Sequence, residues 1–203
     1  MPSYGVKVWV KKNKGNSSEY LPGLYVLEND GQSVIQEFLL NAKNDEWLTK
    51  FFETNRKEII ETLPKDCSCA EWICELKEQI KNTFSVIISN AKIGQQVGYS
   101  REKRSFVCFY STRDNPKDRP TTQLIKYYSR PSSKKYISYI RVYGLQYGND
   151  LVLITGICIK TTRTNQESEE IKRIEELSKK IANLIPNGYR FFNTTEKKIE
   201  DEI

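Results

Sequence analysis

A chain of 203 residues, 38% apolar and 29% charged, is long enough to bury one core, yet no apolar run approaches the roughly 20 residues of a membrane span. It has no histidine, which excludes every Ser-His or Cys-His triad and leaves any catalysis to Lys, Arg, Tyr, Asp, Glu or a thiol. The net charge of +6 is unevenly placed: residues 101–163 hold 13 Lys/Arg against four Asp/Glu, so that segment is +9 and the remainder −3.

In chain order, YGVKVWV (4–10) alternates with period two and predicts a strand, which argues against a signal peptide. KKNKGNSSEYLPG (11–23) reads as a loop, LYVLEN (24–29) as a second strand, and Asp30-Gly31 as the turn that closes it. SVIQEFLLNA (33–42) predicts a first helix. DEWLTKFFETNRKEIIETL (45–63) predicts a second, with Trp47, Leu48, Phe51, Phe52, Ile59, Ile60 and Leu63 near helical spacing and Pro64 after it. In 68–84, Ser68 and Glu71 form a capping-box pattern ahead of the stripe Trp72, Ile73, Leu76, Ile80 and Phe84. FSVIISN (84–90) and SFVCFYST (105–112) predict strands, and RDNPKDRPTT (113–122) a flexible segment within a basic insertion near 99–122.

The last third carries the clearest pattern. KKYISYIRVYGL (134–145) and DLVLITGICIK (150–160) read as an antiparallel hairpin turned around Gln146–Asn149. Thr164 and Glu167 then repeat the capping-box spacing, and Ile171, Ile174, Leu177, Ile181, Leu184 and Ile185 mark one helix face that ends at Pro186-Asn187-Gly188. The fold class is α+β: an antiparallel sheet packed against an N-terminal helical pair and a C-terminal helix. Residues 1–32 form an extension, 33–192 the domain and 193–203 a frayed tail.

The five cysteines are an odd number, which in a cytoplasmic chain argues against a disulfide framework. Cys67, Cys69 and Cys74 cluster in DCSCAEWIC, but a fourth zinc ligand is missing and Cys69 and Cys74 fall on different faces of one helix. No metal and no cofactor is expected. The basic segment also carries Tyr99, Tyr110, Tyr127, Tyr128, Tyr136, Tyr139, Tyr143 and Tyr147. Cations interleaved with aromatic rings suit a nucleic-acid surface, since phosphates supply counter-charge and rings stack on unpaired bases. Tyr-rich strands coated with Lys and Arg are the plainer explanation of the same composition.

YIRVYGLQYGNDLVLITGICIKTTRTNQESEEI (139–171) resembles the core of the RelE/HigB-like, phage-derived toxins of toxin–antitoxin modules. The features that carry the resemblance are Arg141 in an apolar strand, the Gly148-Asn149-Asp150 turn, the strand LVLITGICI and the segment Lys160-Thr161-Thr162-Arg163-Thr164. It extends over 122–185, more faintly over 33–90, and not over 1–30. Thr161 and Asn165 stand near the places where the family often has a second lysine and a proline, and 203 residues is long for it. The resemblance implies a RelE-like domain that cleaves mRNA as an endoribonuclease, with the ribosome and a cognate antitoxin protein as partners. The reaction is attack of a ribose 2′-OH on the adjacent phosphorus. It needs no metal, only a base, an acid and cations around the phosphorane. The implied catalytic residues are Lys160, Arg163 and Arg141, and the implied RNA-binding residues are Arg130, Lys126, Lys134, Lys135, Tyr143, Tyr189 and Arg190. Two other readings stand beside it: an RNA- or protein-binding module of a phage or mobile element that keeps the fold without cleavage, and an interaction protein that presents Trp47, Phe51 and Phe52 to a partner.

Overall fold

Asp30 and Gly31 both take left-handed backbone angles, φ 49° and 78°, which Asp tolerates and Gly favours, so the expected reversal forms there. The computed structural model describes residues 4–12, 18–91, 107–108, 122–147, 151–162 and 169–184, with side chains described over 24–87, 124–146, 152–162 and 169–184. Strand β1 spans Tyr4–Lys12, β2 Ser18–Asn29 and β3 Gln32–Ser33. The expected loop over 11–23 is therefore shorter, because 11–12 belong to β1, 18–23 belong to β2, and 18–20 pair with Val10–Lys12. Ser33 then caps helix α1, Val34–Lys43, by accepting from the Gln36 amide at 3.3 Å.

Asn44 caps α2, Asp45–Thr54, in the same way, accepting from the Trp47 amide at 3.0 Å. The helix expected over 45–63 breaks at Asn55. That residue's side-chain amide donates to Phe51 O at 2.9 Å and its backbone leaves helical geometry, the usual competition of an Asn side chain with the helix ladder. A short α3, Arg56–Ile60, follows. The capping box at Ser68 forms as expected: Glu71 N donates to Ser68 Oγ at 3.2 Å and Ser68 N donates to Glu71 Oε2 at 2.8 Å. It opens α4, Cys69–Ala91, which absorbs the strand expected over 84–90. Val86, Ile87 and Ile88 favour strands, but Phe84 and Ile87 continue the buried stripe of Trp72, Leu76 and Ile80, and burial outweighs propensity.

Of the strand expected over 105–112, the described part is β4, Val107–Cys108. Strand β5 spans Thr122–Tyr128, β6 Ile140–Tyr147 and β7 Leu151–Ile159, and helix α5 spans Glu169–Leu184. The strand expected from 134 begins only at 140, and residues 129–139 form an irregular connection. The segment 148–150, Thr164 with Glu167, and the tail from 185 lie outside the described residues.

The sheet has seven strands in the order β1-β2-β7-β6-β5-β4, with β3 paired to β2. It is mixed, which corrects the antiparallel expectation. β7 is apolar on both faces, as suits a central strand covered on each side, and it pairs with β6 antiparallel and with β2 parallel, with Leu24 opposite Val152 and Val26 opposite Ile154. β2 is thus an interior strand rather than part of an appended extension. Helices α1–α4 cover one face through Leu24, Val26, Trp72, Leu76, Val142 and Ile154. Helix α5 covers the other through Leu27, Leu145, Leu153 and Ile181.

A bulge decides which residues face α5. Gly144 pairs with Ile154 and Tyr143 with Gly156, so Thr155 is the extra residue. Beyond it Ile157 and Ile159 point to the helical core, while Cys158 joins Tyr143 and Ile171 beneath α5. No helix among the described residues is long and apolar enough to cross a membrane.

Candidate nucleic-acid interface

Between Thr122 and Tyr147 the chain carries Lys126, Arg130, Lys134, Lys135 and Arg141 and not one Asp or Glu. The fold gathers four of these cations at one end of the sheet. β5 and β6 close with the Ser129 amide donating to Ile140 O at 3.1 Å, and the Lys160 amide donates to Tyr139 O at 2.6 Å as β7 ends. The end of β5, the start of β6, the end of β7 and the connection 129–139 therefore meet. Arg130, Lys134 and Lys135 are exposed on that connection. Lys126 sits two residues back on β5, its Nζ 5.3 Å from the centre of the Tyr128 ring.

Helix α4 holds the connection in place through two buried polar side chains. Gln79 uses its whole amide: Nε2 donates to Glu75 Oε1 and to Ile137 O, each at 2.8 Å, while Oε1 accepts from the Tyr139 amide at 2.8 Å and from Ser129 Oγ. Glu75, 5% exposed, accepts the Ser132 amide at 2.9 Å on Oε1 and Ser132 Oγ on Oε2. Ser138 Oγ donates to Ser129 O, which ties the two ends of the connection together. Glu75 is a buried carboxylate held by neutral donors, with no ion-pair partner among the described residues.

Arg141 is 4% exposed. Its Nη1 donates to Ser138 O at 2.8 Å, Ser138 Oγ at 2.9 Å and Ile140 O at 3.0 Å, and the guanidinium stacks 4.2 Å from the Tyr128 ring centre. Its Nε has no hydrogen-bond partner among the described residues. Burial holds its pKa below the usual arginine range, while Tyr128, Tyr143 and Cys158 act in the opposite direction. Tyr128 thus lies against two cations, Lys126 and Arg141. Lys135 makes a similar contact with Tyr136 at 4.8 Å, and that hydrogen-bonded neighbour raises its pKa. Arg130 lies near Tyr127, whose hydroxyl is pushed up by burial and drawn down by Arg130.

The sites implied by sequence fall into four groups. Arg141 and Lys160 come together: Arg141 pairs with Cys158, and strand alternation puts Lys160, two residues on and 7% exposed, on the same face. Arg130, Lys126, Lys134 and Lys135 form the accessible cationic rim. Tyr143 is fully buried under α5, so neither face of its ring is open to a base, and burial pushes its hydroxyl pKa well above the usual range. Arg163, Tyr189 and Arg190 lie outside the described residues. Among the described residues no group of three or more His, Cys, Asp or Glu is placed to hold a metal ion, and the cysteines whose side chains are described, Cys67, Cys69, Cys74 and Cys158, are free thiols.

Sequence reasoning missed Glu75, Gln79, Ser129, Ser132 and Ser138. The available signal was the spacing of Glu75, Gln79 and Thr83, polar residues at i, i+4 and i+8 beside the stripe of Trp72, Leu76 and Ile80. All three are buried. Comparison with known proteins adds no assignment: no protein-family model, no curated protein and no solved structure matches this chain.

Proposed function

We propose that this chain binds RNA across the end of the sheet built from residues 126–141 and Lys160. The observation that carries this reading is the run 122–147, with five cations and no carboxylate of its own, folded so that Arg130, Lys134 and Lys135 stand together in solvent and Tyr128 and Tyr136 lie against cations. Such a rim matches a phosphate backbone, whose contacts supply most of the affinity and make it salt-dependent. The resemblance to RelE/HigB-like toxins supplies the reaction: metal-independent cleavage of mRNA on the ribosome, in the cytoplasm, by 2′-OH attack, with a cognate antitoxin as protein partner. In that reaction Lys160 is the base and Arg141 and Arg163 stabilise the phosphorane. A second reading, binding without cleavage, is favoured by the burial of Arg141 and Tyr143, which keeps both from direct contact with RNA.

The test is controlled induction of the wild type beside a Lys160→Ala/Arg163→Ala variant, with mapping of RNA 5′ ends, and RNA binding by both purified proteins. Growth arrest and new 5′-OH ends from the wild type alone support cleavage. Salt-dependent binding without new ends supports the binding module. Absence of salt-dependent binding by soluble, folded wild type rejects the RNA reading.

A further inference from the structure

Arg130, Lys134 and Lys135 sit on a connection with no strand or helix hydrogen-bond ladder to fix it. The backbone turn within it is the Tyr136 amide donating to Ser133 O at 3.2 Å. Exposed side chains on such a segment would spread over many arrangements, and ordering them on a ligand would cost affinity. What fixes the segment lies on the helix behind it. Glu75 grips Ser132 at both amide and hydroxyl, midway between Arg130 and Lys134. Gln79 grips the far end at Ile137 and Tyr139 and the near end at Ser129, and it is itself bonded to Glu75. A carboxylate so buried is costly to keep without a cation, and no cation pairs with it among the described residues. Both of its oxygens instead accept from Gln79 or Ser132.

We propose that Glu75 is the positioning residue of the RNA surface, pinning Ser132 so that Arg130, Lys134 and Lys135 meet consecutive phosphates as one preformed row. This deepens the RNA-binding reading and rests on it. The carboxylate charge is not what the role requires. A glutamine at 75 keeps the Oε1 acceptor for Gln79 and the Ser132 amide, and offers its NH2 to Ser132 Oγ. Alanine keeps none of these.

The experiment measures affinity for a short single-stranded RNA against salt concentration for wild type, Glu75→Gln and Glu75→Ala, together with amide hydrogen exchange at Ser132 and Tyr139. Each phosphate contact contributes about 0.7 to the slope of log K against log salt on a single strand. Loss of three preformed contacts in Glu75→Ala therefore lowers the slope by about 2 and weakens binding by roughly tenfold or more at low salt. Glu75→Gln retains the wild-type slope. Exchange at Ser132 accelerates in the alanine variant alone, while exchange in β6 and β7 stays slow. If Glu75→Ala does not fold, Ser132→Ala takes its place: it removes the hydroxyl contact, keeps the amide, and lowers the slope by less. A wild-type slope in the truncated variant, or a slope lost equally in Glu75→Gln, overturns the positioning role. If the wild type itself shows no salt-dependent binding, the RNA reading fails and this role fails with it. The exchange data still distinguish that result, because the Ser132 amide then loosens in Glu75→Ala with no binding change to accompany it.

Discussion

On the α1–α4 face of the sheet, Trp72 is ringed by Phe52 at 5.3 Å, Tyr139 at 6.1 Å and Phe51 at 6.2 Å, within one continuous apolar layer that runs from Leu24 to Ile159. On the α5 face the layer is split into two small clusters, and polar groups lie beside them: Arg141, Tyr143, the 2.6 Å hydrogen bond between Thr155 and Ser178, and Cys158, whose thiol is pushed up by burial. The first face is built from area, whose contribution grows with every methylene removed from water. The second is built from a few specific fits, each of which fails individually. The cations proposed to meet RNA are anchored where the two meet, by α4 from one side and by β6 from the other.

The largest effect belongs to the apolar face. Trp72→Ala removes the centre of the aromatic cluster and leaves a cavity under Tyr139, so stability to urea is expected to fall by about 3–5 kcal/mol. Ile181→Ala, the matching deletion beneath α5, is expected to cost about 2 kcal/mol, the lower end for such a truncation, because a single helix resting on a small cluster can settle into the gap. Equal losses in the two variants would break the contrast between the faces.

Alkaline titration sharpens the same contrast. Burial pushes the Tyr139 hydroxyl up to about 12, on the helical face, and pushes Tyr143 up under α5. In the unfolded chain both ionise near the ordinary tyrosine value of about 10. Below that pH both states are protonated and the pair leaves stability unchanged. Above it the unfolded chain releases protons that the folded one retains, so stability falls as pH rises, through about 12 for Tyr139. Tyr139 alone accounts for about 3 kcal/mol across that window. Urea unfolding at successive pH values above 9 should show the decline, and Tyr139→Phe and Tyr143→Phe should each flatten part of it. An unchanged slope in either variant means that the corresponding hydroxyl is not buried.

How much of this was legible in the sequence follows from which signals are local. Helix starts were: Ser33, Asn44 and Ser68 each accept an amide from three residues on, as short polar side chains before an apolar run do. The strand expected over 84–90 failed because Val86, Ile87 and Ile88 look alike in either structure, and only the core that Val86 and Ile87 meet decides. The facing of LVLITGICI could not be read, since it is apolar at almost every position. The bulge at Thr155, which sends Ile157 toward α1–α4 and Cys158 toward α5, has no local mark beyond Gly156. For the candidate site, the basic segment 101–163 was plain, and so were Lys160 and Arg141 on neighbouring strands. Glu75 and Gln79 were not, because they lie some fifty residues away from Ser129 and Ser132 in the chain and only the packing of α4 brings them there.

A further variant tests how closely α5 is seated. A Cβ at Gly156 would stand 2.6 Å from Ile174 Cγ2 and 3.0 Å from its Cγ1, on a β-branched side chain with little freedom to turn aside. Gly156→Ala is therefore expected to destabilise by about 1–3 kcal/mol, with faster amide exchange along α5 and unchanged exchange in α4. Ile174→Ala removes the atoms in the way, so the double variant should cost less than the sum of its parts. Gly144 provides the control, because a Cβ there would meet Leu153 O at 2.6 Å. That obstacle is backbone, and no side-chain deletion relieves it. Coupling at 156 with 174, and none at 144 with 174, would show that this contact helps to seat α5 on β7 while β6 and β7 are locked through their own backbones. Additive losses at 156 and 174 would mean that the helix is not held there.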